Sequence, residues 1–232
     1  MDRKGILETY HDFSAIKPIS EAIYRTLYTA ITRGHLHSGD RITIDGLATL
    51  CSASRTPVRE AMKQLESNGI LTYDQRVGYY VRIYSQKDCL DLFEVLHILQ
   101  VAAVSVAAKT ISPSYLAMLD ENVRLCRATE DGAVFFSLNR DFHVIIARSA
   151  NNAFLAEYIE QIYSRLFLFD FSKNPTLNMP ESIDQHRLLV EALRARDSEE
   201  AVRIHTHHAK VTGNYFNWAL TAQNSAISSD VL

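Results

Sequence analysis

Beyond residue 85 the apolar residues recur at intervals of three and four in long runs, the period of helices that bury one face. This spacing predicts helices over 87–109, 113–128, 131–149, 152–172, 182–195 and 198–222, with a loop over 174–180. Start signals agree. Ser112-Pro113 opens one helix, and Ser182 with Gln185 and Asp197 with Glu200 have capping-box spacing. Upstream the pattern changes more often. Ile44 to Cys51 has the apolar spacing of a short helix, and Ser52 to Arg55 makes a tight connection to a second one. In that second helix Thr56 suits the N-cap, Pro57 the first turn and Gly69 the stop, while Val58, Ala61, Met62 and Leu65 form an inward stripe. Residues 69–73 and 79–83 are strand-like, and Asp74 to Gly78 joins them as a hairpin with Gln75 and Arg76 at its tip.

The class these elements predict is mainly α. Residues 1–84 form a winged helix-turn-helix with a small β-hairpin wing, and residues 85–232 an all-α helical bundle. Arg59 and Lys63, four apart, share the outer face of the second helix with Gln64, and Arg55 stands at its start. An exposed arginine fork there can bind guanine O6 and N7 in the major groove, while the helix N-terminus faces a phosphate. Arg76 on the wing suits a phosphate or the minor groove. Arginine and lysine opposite an apolar stripe also describe an ordinary solvated helix, so it is the turn before and the wing after that favour DNA.

Composition changes this picture little. The formal net charge is −3, but residues 1–82 hold 11 Lys+Arg against 9 Asp+Glu, and the remainder 13 against 18. The split has the direction expected of a DNA-binding head and an acidic second domain. Six of the eight glycines precede residue 80, in keeping with the turn-rich part. Cys51, Cys89 and Cys126 are far apart and in no C-x-x-C spacing, so neither a disulfide framework nor a cysteine zinc site is suggested. No apolar run approaches the roughly 20 residues of a membrane span, and no secretory core follows Met1, so a cytoplasmic protein without a membrane partner is expected. The first 15 or so residues read as weakly structured and the tail after Gln223 as frayed.

Candidate chemistry in the second domain lies in four polar residues on otherwise apolar faces. Asn139 and His143 share a face with Phe135, Phe142 and Ile146. His186 is flanked by Ile183, Leu189, Val190 and Leu193, and His208 lies in line with Ala201, Ile204 and Val211. His207 turns away, and His205 reads either way. Three imidazoles from three helices could converge on one divalent transition metal, zinc or nickel first. Hydrogen-bonded core histidines would satisfy the pattern as well, and so would a metal-dependent hydrolase with an open coordination position.

Residues 18–83 resemble the winged helix-turn-helix of the GntR family of bacterial transcription regulators. The resemblance rests on Ile31-Thr32-Arg33-Gly34-His35-Leu36-His37-Ser38-Gly39-Asp40-Arg41-Ile42, Leu47-Ala48, Ser54 to Ala61, Gln64-Leu65-Glu66, Gly69 and Gly78. It implies that Ser54, Arg55, Thr56 and Arg59 contact DNA, with Gly78 in the wing. Residues 87–222 resemble the FCD ligand-binding domain of the FadR subfamily, through Phe142-His143, Ala150-Asn151-Asn152, Gln185-His186-Arg187 and the 22-residue interval from His186 to His208. That resemblance implies a metal set of Asn139, His143, His186 and His208. It further implies a small-molecule effector, typically an organic acid, a homodimer and a double-stranded, roughly palindromic operator. The chain departs from the pattern with Ser38 for the proline before Gly39, Asn139 for aspartate, and Leu96 and Gln100 where arginine and glutamate are common.

Overall fold

The computed structural model describes residues 2–169 and 179–229, with side chains apart from those at 133 and from 214 onward. The chain forms two compact units. One holds the residues up to Ser85 together with Ser164–Phe169, the other Gln86–Tyr163 together with the last two helices.

The first unit contains α1 (Arg3–Phe13), α2 (Ile19–Thr32), β1 (Arg41–Ile42), α3 (Ile44–Leu50), α4 (Arg55–Ser67), β2 (Leu71–Asp74) and β3 (Gly78–Val81). The apolar stripe of α4 lies where its spacing predicts, with Val58, Ala61, Met62 and Leu65 fully buried beside Ile23 and Leu27 of α2. Each such large side chain contributes roughly 1.5–3 kcal/mol of burial, so this stripe fixes which face of α4 stays in water.

The ends of α4 differ in one respect from expectation. Its N-cap is Ser54 rather than Thr56, because the helix begins at Arg55 and places Pro57 third, still within the first turn, where no N–H is needed. At the other end Gly69 adopts φ +76°, the Gly69 N–H donates to Glu66 O at 2.9 Å and the Ile70 N–H to Leu65 O at 2.8 Å. This is a Schellman stop. Between α3 and α4 the turn contains Ser52 at φ +48°, and the Thr43 hydroxyl caps α3 by accepting from the Gly46 N–H at 3.1 Å.

Three elements were not expected, among them α2, which buries Ala22, Ile23, Thr26, Leu27, Ala30 and Ile31 along one face. The N-terminal segment is helical instead of weakly structured, since Asp2 accepts from the Gly5 N–H at 3.1 Å and Ile6 is buried in the core. The wing gains a third strand, with order β1-β3-β2 and Ile42 opposite Tyr79. Two residues are too few to show alternation, which is why β1 leaves no signal in the sequence. In the wing turn Asp74 Oδ1 accepts from the N–H groups of Arg76 and Val77.

The second unit is built from α5 (Gln86–Thr110), α6 (Pro113–Ala128), α7 (Gly132–Ser149), α8 (Ala153–Leu166), α9 (Met179–Arg194) and α10 (Ser198–Ser229). Helix α8 ends at Leu166, not 172, and α9 starts at Met179, so residues 179–180 of the expected loop are helical and 174–178 lie outside the described residues. Helix α10 continues past 222 to Ser229. The core gathers Leu119, Phe135, Phe142, Leu189, Leu193 and Ala201. Helix α5 is long and apolar enough, by length and composition, to cross a membrane. Cys89, Leu96, Gln100, Ala103, Val104, Ala107 and Ala108 of α5 are buried in the protein. After α8, Leu168 packs against the core of the first unit and Phe167 meets Tyr28 edge-on at 6.4 Å.

Candidate DNA-reading surface and metal centre

The burial of one face of α4 leaves the other to solvent. Ser54, Arg55, Thr56, Arg59, Lys63 and Gln64 are all exposed on it. The first four occupy the N-terminal turns, where unpaired backbone N–H groups give a partial positive charge suited to phosphate. On the wing Arg76 is exposed at the turn, and Gly78 takes φ +88° with open space where a Cβ would stand. Sequence reasoning missed Asp45. From the start of α3 its carboxylate pairs with Arg55 Nε at 2.6 Å. Both side chains are about two-thirds exposed, so the pair is worth little to stability and orients Arg55 more than it restrains it.

In the second unit His143 on α7, His186 on α9 and His208 on α10 are buried, and their ligand atoms all lie within 4.8 Å of one another. Ring centroids are 5.2 Å apart for His143–His186 and His143–His208, and 4.8 Å for His186–His208. Zinc at about 2.0–2.1 Å from each nitrogen sets tetrahedral ligand nitrogens roughly 3.3 Å apart, so small side-chain adjustments close the set.

The orientations suit ligation. Gln185 Oε1 is 2.8 Å from His208 Nδ1, which makes Nδ1 the protonated nitrogen and leaves the Nε2 lone pair for a metal. His186 stacks on Phe142 at 3.9 Å between centroids, and neither of its ring nitrogens has a hydrogen-bond partner among the described residues. Two orphaned nitrogens on one buried ring are expensive without a ligand. All three rings are neutral at pH 7. Burial, then repulsion from neighbouring histidines, holds His143 and His186 well below the ordinary imidazole range, and burial pushes His208 down to about 4. Neutral imidazole is the form that binds metal.

Asn139 lies one turn before His143 and is half-buried, with no side-chain hydrogen bond among the described residues. Asp141 is turned aside and pairs with Arg140. His207 is exposed, whereas His205 is fully buried and belongs with the cluster. Its place three residues before His208, on the same side of α10, was the signal available in the sequence. Beside the cluster Gln100 Nε2 donates to the Tyr163 hydroxyl at 2.7 Å, and the Tyr163 ring faces that of His143. The three free cysteines are buried, with thiols raised to about 11 or 12 by burial, and take no part.

A winged helix-turn-helix presenting basic residues on its reading helix, joined in one chain to a helical domain with a polar buried centre, defines a ligand-responsive DNA-binding regulator. The chain belongs to the GntR family of bacterial regulatory proteins, whose description matches residues 19–81, and it carries an FCD domain over residues 91–210. It is 30% identical over 174 residues to the HTH-type transcriptional regulator McbR of Escherichia coli (strain K12), covering 72% of this chain and 78% of that one. It is 27% identical over 180 residues to a probable D-xylose utilization operon transcriptional repressor of Paenarthrobacter nicotinovorans, covering 77% and 80%. The solved structure of E. coli McbR/YncC superposes with a TM-score of 0.75 at 25% identity over 88% of this chain and 99% of that one. The protein is thus a DNA-binding transcription regulator. The hydrolase alternative has no support, since its relatives are regulators and no carboxylate is among the charges acting on the three rings.

Proposed function

We propose that this regulator is a cytoplasmic, homodimeric repressor that reads double-stranded operator DNA with Ser54, Arg55, Thr56 and Arg59, while Arg76 and the Gly78 turn of the wing hold the backbone. The exposed row of these residues on α4, opposite a fully buried stripe, is the observation that carries the reading. The helical domain, residues 85–232, binds a divalent metal through Asn139, His143, His186 and His208, zinc or nickel first. When bound, the metal supplies a Lewis-acidic centre with open positions for an effector.

A dication held by one amide and three neutral imidazoles keeps its full charge in a buried site. An anionic ligand such as an organic acid compensates that charge, even though Leu96 and Gln100 provide no cation to help. Effector binding biases the regulator toward one of two states with different operator affinity.

Gel shifts of DNA from the region upstream of the protein's own gene, over a salt series with scrambled competitor, test the DNA reading. Tight, competitor-resistant binding is expected, with a steep salt slope. Arg59→Ala costs about 1–3 kcal/mol of specific binding and relaxes the base preference. Unchanged operator affinity in that variant removes Arg59 from the reading role.

A further inference from the structure

His205 is fully buried, and both of its ring nitrogens lack a hydrogen-bond partner among the described residues. His186 is in the same condition. A buried polar group left unpaired costs about 1–3 kcal/mol, and two such imidazoles at one place are hard to explain as packing alone. The His205 ring lies 5.6 Å from that of His143 and 6.3 Å from that of His208, centroid to centroid, one step further out than the three rings lie from each other and outside the set whose ligand atoms fall within 4.8 Å, so it reaches the ion by a side-chain adjustment. On its far side it stacks against His97 at 5.8 Å, whose Nδ1 is also buried and unpaired. The charges acting on His205 come from His208 and His97, with no carboxylate among them.

Asn139, by contrast, is half-buried and offers only a neutral amide oxygen. A buried imidazole lone pair is the better donor to a borderline transition metal. We propose that His205 is a fourth imidazole donor to the cation held by His143, His186 and His208, supplying beside the neutral amide of Asn139 the stronger bond that a carboxylate at that position would give. The assignment rests on the metal reading above. It makes the site rich in nitrogen and uncharged, which favours copper, nickel and zinc over manganese or magnesium. The two ligands of α10, three residues apart, then reach the ion from one helix face, and His97 backs His205 as an outer partner.

The test uses the full chain stripped with chelator, together with His205→Leu, His205→Gln, Asn139→Ala and His186→Ala. Cobalt(II) uptake followed by visible absorption, with zinc competition, gives affinities, and copper(II) electron paramagnetic resonance gives the number of coordinated nitrogens. Both His205 variants are expected to bind zinc at least about tenfold more weakly and to lose one coordinated nitrogen, with Asn139→Ala affected less. Metal-free His205→Leu melts no lower than the parent, because an unpaired polar group is gone. Parent-like affinity and nitrogen count in both His205 variants, beside a defective His186→Ala, overturns the assignment while leaving the three-histidine site intact. No uptake by the parent chain overturns the metal reading and the assignment with it.

Discussion

The buried imidazoles are expected to make the fold acid-sensitive. His205 is pushed down to about 3 by burial and by His208 and His97, and His208 to about 4 by burial first. His143 and His186 shift in the same direction. An unfolded chain titrates its histidines near 6.5. Below that pH the unfolded state takes up protons that the folded state refuses, so stability falls with pH, and it continues to fall until the folded values near 4 and 3 are reached. Each such ring adds up to about 1.4 kcal/mol per pH unit. Thermal melts of chelator-treated protein are therefore expected to drop steeply from pH 7 to pH 5, above the range in which most carboxylates titrate, and His205→Leu to shallow the slope. A melting temperature that stays level across that range would mean that the cluster accepts protons while folded. At this scale the sequence was informative where a polar residue interrupts an apolar face, as at His143, His186 and His208. At His205 the only signal was its place three residues before His208, and that did not decide it, since a histidine beside His207 and His208 on a long helix fits core and surface equally well.

Among the elements, those with many periodic residues were legible. The helices of the second domain and the stripe of α4 follow from spacing alone, because burying one face of a long helix requires that spacing. The misses fall mostly where structure is set by one or two contacts; the exception is α2, whose Ala22, Ile23, Leu27, Ala30 and Ile31 have helical spacing and which was not predicted as a helix. Helix α1 depends on the Asp2 cap and on Ile6, and β1 on a two-residue pairing with β3. The turn between α3 and α4 was expected from its length, but its conformation was not. Ser52 holds φ +48° there, a region that costs an L-residue with a side chain roughly 1–2 kcal/mol. Ser52→Gly removes that strain and adds some unfolded-state entropy, for a net gain of about 0.5–1 kcal/mol. The readout is the urea midpoint, with operator binding retained because the exposed residues of α4 are untouched. A midpoint that falls would show that the Ser52 side chain contributes more than its backbone conformation costs.

For the whole molecule the question is whether two chemistries in one chain are coupled. Helix α4 is held by the core of its own unit and stopped by its own Gly69. Operator binding in the absence of metal is therefore expected to be measurable. Any effect of metal must appear as a ratio of two operator affinities, and thermodynamic reciprocity then requires the operator to change metal affinity by the same factor. Couplings of this kind are typically about 1–3 kcal/mol, roughly 5- to 150-fold. Titrating operator DNA with and without zinc, and zinc with and without operator, should give one matching factor. His186→Ala should keep the zinc-free operator affinity and lose the ratio. Equal operator affinities with and without zinc would confine the metal to a structural role, and control of the head would then belong to the effector alone. A variant that loses DNA binding outright would instead show that the centre is needed to keep the chain folded, and its melting temperature would separate the two cases.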